Sequence, residues 1–371
     1  MVSDFKPGLE DVVIGYSSVC FLDGIEGRLL YRGYDIAYLA EKTSFEDVVY
    51  LLLNGVLPSA EESETFRAEM AAQRTLPKSI IDLIRLIPID THPMDALRTA
   101  ISFLGTTEEP VLNTSPDRIQ RVIRGISASA TIVAALNRVR QGLEIVEPRQ
   151  DLSHAGNFLY MMTGKEPSSE HTKLMDVALI LHADHESNAS TFAARVTAST
   201  LSDYYSAIVT GIGTLKGPLH GGANEAVMHS LLEIQTIDNV IPYVDEKLEK
   251  KEKIMGFGHR VYKTYDPRGL ILKKLSAQIG DQLGERKWFD MSVKMEEYVR
   301  DRKGLYCNVD FYSASVYYLM GLPIEMFTPI FFVSRVAGYT AHILEQWENN
   351  RIFRPRLEYN GPIHSTEITS K

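Results

Sequence analysis

Cysteine is scarce in this chain. Among 371 residues there are two, Cys20 and Cys307, too few for a disulfide framework and in keeping with a reducing compartment. Positive charge is also short: 39 lysines and arginines stand against 48 aspartates and glutamates, a formal net charge of −9. That balance argues against a general nucleic-acid binder, which shows a broad basic face, while leaving room for a local basic pocket that takes one phosphorylated small molecule. No apolar run approaches the ~20 residues needed to cross a bilayer. The opening MVSDFKPGLEDVV has neither the basic nor the apolar region of a signal peptide, so a soluble, cytoplasmic protein is expected. Internal repeats and low-complexity linkers are missing. So is strand–helix alternation, and without it a parallel sheet is not expected.

What the chain has in quantity is helix punctuation. Ser44 opens SFEDVVYLLLNG with Asp47 three residues on and Gly55 placed to end the helix, and Ser59 opens the next with Glu62 at the capping-box position. Pro93 and Pro116 are expected in first turns, where the amide proton they lack would be unpaired anyway. Helix-compatible tracts follow at 115–141, 170–186, 188–215, 265–284, 288–302, 310–320 and 327–347. One strand signal, VCFLDG then GRLLYRGY, predicts a small N-terminal β-hairpin. The expected fold is all-α. Glycine and proline placement further suggests a large helical domain (1–219), a smaller one (220–325), and a return to the large domain with a C-terminal arm (326–371).

The stretch GPLHGGANE, residues 217–225, sets His220 between a proline and two glycines. The preceding GIGTLKG carries Lys216 where a dinucleotide fingerprint needs its third glycine, and no Gly-Lys-Ser/Thr closes a Walker loop. A metal reading looks to His182 and His185 in HADHE, but the H-E-x-x-H spacing is absent and no complementary ligands are evident. The bland reading, a core or helix-end histidine, stays open for each. Yet His220 and His259 both lie in tight glycine-rich settings, PLHGG and GFGHR, where a ligand can approach the backbone closely. Asp310 precedes an apolar helical run and reads either as that helix's cap or as a general base whose proton affinity is raised by desolvation. Arg268, Arg335 and Arg354 complete the set. Arg335 falls in the apolar TPIFFVSRVAGYTAHIL, where an unpaired guanidinium is costly, so an anionic partner is expected. Histidines, one carboxylate and several arginines suit the removal of a proton beside a carbonyl, with a polyacid held in place.

Five motifs, LHADHESNASTFAARV, GPLHGGANEAVM, KIMGFGHRVYKTYDPR, NVDFYSASVY and FTPIFFVSRVAGYTAHILEQ with NNRIFRPR, closely resemble the citrate synthase family in order and spacing over residues 8–362. The resemblance implies a mainly helical enzyme with a large and a small domain that close over substrate, working as a dimer. It implies that His220 stabilises the enol or enolate of acetyl-CoA, that Asp310 removes the methyl proton, and that His259 acts on the oxaloacetate ketone. His185, Arg268 and Arg335 would hold the oxaloacetate carboxylates, with Arg354 reaching in from the partner subunit. Ile254, Met255, Gly256, Phe257 and Gly258 match the family's coenzyme A strip, with Arg260, Lys263 and Lys303 as phosphate partners. No permanently bound cofactor and no metal is implied. The chain lacks the N-terminal extension of larger hexameric members, so a simple homodimer is expected. The nearest alternative is 2-methylcitrate synthase, which takes propionyl-CoA through the same residues. An alternative of another class is a metal-binding or non-catalytic helical scaffold.

Overall fold

A computed structural model describes residues 5–108 and 115–362. The described residues form sixteen α-helices and one three-stranded antiparallel sheet. The sheet comes first: β1 (Cys20–Asp23), β2 (Arg28–Tyr31) and the short β3 (Tyr34–Asp35), with Cys20 opposite Tyr31 and Asp23 opposite Arg28. The expected hairpin is there, extended by a third strand. The helices of the first half are α1 (Ile36–Lys42), α2 (Phe45–Asn54), α3 (Ala60–Ala72), α4 (Lys78–Leu86), α5 (Pro93–Thr106), α6 (Arg118–Arg140), α7 (His154–Thr163) and α8 (Ser169–His182). Those of the second half are α9 (Ala189–Ser199), α10 (Tyr204–Leu215), α11 (Ala223–Ile234), α12 (Val240–Glu249), α13 (Pro267–Leu283), α14 (Lys287–Lys303), α15 (Val309–Leu319) and α16 (Phe327–Glu348).

Local chemistry sets many of these boundaries. Both expected capping boxes form, Ser44 with Asp47 on α2 and Ser59 with Glu62 on α3, each satisfying amides that have no partner inside the helix. Gly55 ends α2 with φ +84°, and Pro93 is the first residue of α5. Three expectations fail. The tract 170–186 is helical only as far as His182, and His185 lies in the turn beyond it. Pro116 precedes α6 by two residues, because the helix begins at Arg118 with Asp117 as its cap. The tract 188–215 is two helices: Leu201 takes φ +62°, and the Asp203 carboxylate accepts from the Ser206 amide to start α10 afresh.

Two long helices form the centre. In α6 every residue from Gly125 to Asn137 is buried, and α16 is buried from Phe327 to Leu344. By length and composition α6 could cross a membrane, which corrects the expectation that no segment approaches that length; 83% of the stretch is covered by the rest of the protein, so it is a core helix. Helix α16 packs on α2, α6, α8, α9 and α10, whereas α11 to α15 pack chiefly on one another. The candidate histidines lie on turns between these helices, while Arg268 and Asp310 sit in the first turns of α13 and α15 and Arg335 within α16.

Candidate active site

Three turns carry the candidate histidines. The first, residues 183–188, joins α8 to α9. Asp184 is fully buried there and its Oδ2 lies 3.2 Å from His342 Nε2 on α16. Burial pushes the Asp184 carboxyl up, but His342 and Arg335 outweigh it and hold the group below its ordinary range. His185 follows, buried, with Nε2 3.4 Å from the Tyr262 hydroxyl and its ring centroid 5.0 Å from that of His259. Burial, then Arg268 and His259, push the His185 imidazole well below its usual pKa, so it is neutral. His182, its neighbour in sequence, ends α8 with Nδ1 2.7 Å from the Ala178 carbonyl oxygen, the helix-end role that a lone histidine usually fills.

His220 occupies the second turn, two residues ahead of Gly222, which caps α11. Its Nε2 lies 2.6 Å from Ser190 Oγ and accepts from the Ser190 amide at 3.3 Å. An acceptor at Nε2 places the imidazole proton on Nδ1. His259, in the third turn, reverses the arrangement: Nδ1 accepts from the amides of Val261 and Tyr262 at 3.0 and 3.1 Å, which leaves the proton on Nε2. Burial pushes both imidazoles down to about 4, with Arg335 adding to the effect at His220 and Arg268 at His259. Each is thus a neutral ring with one nitrogen tied as an acceptor and the other free to donate.

Asp310 is not the cap of its helix. Asn308 is, its side chain accepting from the Asp310 amide at 3.0 Å, so the Asp310 carboxylate is not used up as a cap. Its Oδ1 is buried with no hydrogen-bond partner. Burial pushes its pKa up to about 7, against a smaller opposing pull from Arg268. An aspartate that titrates near neutrality in an enclosed setting has the properties of a general base.

The arginines differ from one another. Arg268 is buried at the start of α13, where Nε and Nη2 donate to the two oxygens of Asp266 at 3.0 and 2.8 Å. Arg335 is equally buried, yet its nearest acceptor is the His182 carbonyl oxygen, 2.7 Å from Nε, and its guanidinium lies over the Phe331 ring. The carboxylate partner expected for it is not supplied by any described residue, a deficit that an anionic ligand would fill. Arg354 is on the exposed C-terminal arm and donates to the Pro355 carbonyl. It lines an open groove of about 1000 Å³ with residues 9 and 12–18, Phe192 and Arg195, and none of its contacts is with the histidines.

The 254–258 strip is shaped by its backbone. Gly256 and Gly258 both take φ +81°, the region that glycine enters without strain. A Cβ on Gly256 would sit 2.7 Å from Val227 and 2.8 Å from Phe311. The strip pairs with the segment leading to α15, through Gly258 N to Tyr306 O and Asn308 N to Gly256 O, both 2.9 Å. Ile254, Met255 and Phe257 are half-buried, and Arg260, Lys263 and Lys303 are exposed. Among the described residues no group of three or more His, Cys, Asp or Glu side chains could hold a metal ion.

Sequence reasoning missed Ser190, Tyr262, Asp266 and Asn308. Asp266 and Asn308 had a readable signal, since aspartate and asparagine are favoured caps and each stands one residue before the helix it caps, Asp266 inside the expected tract 265–284 and Asn308 just ahead of 310–320. Ser190 and Tyr262 had none, because their partners come from other segments.

The family model described as the citrate synthase C-terminal domain matches residues 8–356. The chain is 51% identical to citrate synthase 2 of Bacillus subtilis over 96% of its own length and 95% of that protein. It is 44% identical to the citrate/2-methylcitrate synthase of the same organism, covering 98% of each. Among solved structures it is similar to the ternary complex of the Thermoplasma acidophilum citrate synthase with carboxymethyl coenzyme A and oxaloacetate, at a TM-score of 0.94, 33% identity and 98% coverage of both chains.

Proposed function

The chain belongs to the citrate synthase family, and on that premise we propose that it condenses acetyl-CoA with oxaloacetate and hydrolyses the citryl thioester, releasing citrate and coenzyme A. The observation that supports the assignment of roles is that Asp310, an unpartnered carboxyl pushed up to about 7, has Arg335 as a charged neighbour in common with the neutral His220 and Arg268 in common with the neutral His259. Asp310 takes a proton from the acetyl methyl carbon. A thioester methyl is a weak acid, so this step needs a donor at the developing enolate oxygen. His220 Nδ1–H is that donor, its ring held from behind by Ser190. The new carbon–carbon bond forms at the oxaloacetate ketone, and His259 Nε2–H gives its proton to the oxygen that becomes the alcohol.

His185, Arg268 and Arg335 bind the oxaloacetate carboxylates, which supply the anion Arg335 otherwise lacks. The 254–258 strip, with Arg260, Lys263 and Lys303, takes coenzyme A, and no metal or resident cofactor enters the scheme. We read residues 220–325 as the smaller domain that closes over the substrates and excludes water until condensation is complete. We read the assembly as a cytoplasmic homodimer in which the exposed Arg354 serves the partner's site. A second reading, 2-methylcitrate formation from propionyl-CoA, is favoured by the 44% identity to a protein named for both activities. One methylene shifts pocket binding by only ~1–3 kcal/mol.

The test is coenzyme A release from acetyl-CoA and from propionyl-CoA with oxaloacetate, with and without a chelator. Acetyl-CoA is expected to give the higher kcat/KM, unaffected by chelation. Propionyl-CoA winning would move the assignment to 2-methylcitrate, loss of activity on chelation would overturn the metal-free scheme, and no release from either would refute the enzyme reading.

A further inference from the structure

The N-terminal hairpin touches the backbone behind two of the candidate histidines. At its base, the buried Tyr31 hydroxyl donates to the Asp184 carbonyl oxygen at 2.9 Å and accepts from the Asp184 amide at 3.1 Å, with Leu181 O at 3.4 Å. One phenol therefore satisfies both backbone groups of the residue next to His185. At its tip, Gly24 O accepts from the Lys263 amide at 2.8 Å. A Cβ on Gly24 would stand 2.2 Å from the Val261 carbonyl oxygen, and one on Gly27, where φ is +64°, 2.9 Å from the Tyr265 carbonyl oxygen. The tip lies against the backbone that follows His259, where the amides of Val261 and Tyr262 hold that ring. Between tip and base run the four paired residues of β2, roughly 13 Å of strand.

We propose that this hairpin is a positioning element of the active site, a strut that sets the separation of His185 and His259 through Tyr31 at one end and Gly24 at the other. The argument takes its substrates from the citrate synthase reading above. Neither residue touches substrate in this scheme. Tyr31 acts through the Asp184 backbone, and Gly24 acts through Val261 and Lys263. The 5.0 Å approach of the two imidazoles, with the Tyr262 ring packed against both, is then a property of the hairpin as well as of the turns that carry them. Burial holds the Tyr31 phenol far above its usual pKa, so it stays a hydrogen-bond donor throughout the working range.

The test compares Tyr31→Phe and Gly24→Ala with wild type in full-length protein carrying 15N-labelled histidine, with His154 and His171 as reference resonances and Ile84→Val as a destabilised control. Both variants are expected to move the imidazole signals of His185 and His259 together and leave the references in place. Tyr31→Phe should raise KM for oxaloacetate about fivefold to tenfold, the scale of one lost hydrogen bond, with KM for acetyl-CoA unchanged; Ile84→Val should change neither. Unmoved His185 and His259 signals, or a fall in melting temperature with unaltered KM, would overturn the proposal. Tyr31→Phe retains the ring and its packing, so the spectra decide the question even where Gly24→Ala does not fold. Absence of coenzyme A release by wild type would refute the reaction instead, and the imidazole spectra would still decide the hairpin's role.

Discussion

Replacing Asp310 by asparagine separates the cost of a catalytic base from its benefit. Burial raises this carboxyl from 3.8 to about 7. A group with a raised folded-state pKa favours the fold in its protonated form: that contribution is complete below about 3.8 and is lost as pH climbs through about 7. The loss runs at about 1.4 kcal/mol per pH unit and levels off at roughly 4 kcal/mol, an upper figure. Between pH 5 and pH 8.5 the wild type should therefore lose roughly 3 kcal/mol more than Asp310→Asn, whose side chain does not ionise. At ~2.1 cal/mol/K per residue, the 371 residues convert this to a relative shift in Tm of roughly 3 to 4 °C. Differential scanning fluorimetry of both proteins at the two pH values reads it directly, and effects of the new carboxamide that do not depend on pH cancel in the comparison. The same variant should lose condensation by about 10²–10⁴-fold while still binding oxaloacetate. An identical Tm difference at both pH values would refute the raised pKa, and near-normal turnover would remove Asp310 as the base.

Wild-type kcat/KM for acetyl-CoA should rise with pH through about 7 as Asp310 ionises, with no second limb from His220 or His259, which lie near 4; a stopped pH series in constant-ionic-strength buffer checks it. Arg335→Leu should raise KM for oxaloacetate about tenfold to a hundredfold, the scale of charge-assisted hydrogen bonds, and leave KM for acetyl-CoA within about twofold, measured by initial rates. Gly256→Ala forces a Cβ against Val227 and Phe311 at a φ of +81°, so steady-state kinetics should show both a raised KM for acyl-CoA and a lowered kcat.

Legibility in the sequence tracked how local the interactions are. The capping boxes at Ser44 and Ser59 and the glycine end of α2 are written in four or five consecutive residues, and the structure has them as read. The hairpin was readable for the same reason. The break between α9 and α10 was not: TASTLSDYY carries no proline or glycine, and the new start rests on Asp203 as a cap inside an otherwise helical pattern. At the site, composition suggested that Arg335 needs an anion but could not say that the fold would leave it without one. Tyr31, reaching Asp184 across 153 positions, and Ser190, reaching His220 across 30, have no sequence signature at all. Their meaning is created by the approach of distant segments.

Asn308 has a consequence that concerns mechanical independence. Its Oδ1 holds the amide of Asp310, its Nδ2 donates to the Gly258 carbonyl oxygen at 3.2 Å, and its own amide donates to Gly256. Asp310 and the 254–258 strip are therefore tied through one asparagine, beside the Gly258–Tyr306 hydrogen bond and the packing of Phe257 on Phe311. A ligand that settles on the strip carries the carboxylate with it in fixed register. On the proposed reading, exchanging the side chains of Ile254 or Met255 changes what the strip takes while leaving these hydrogen bonds in place; altering Asn308 changes the reach of Asp310 itself. Recognition is thus open to variation at positions where the reacting distance is not.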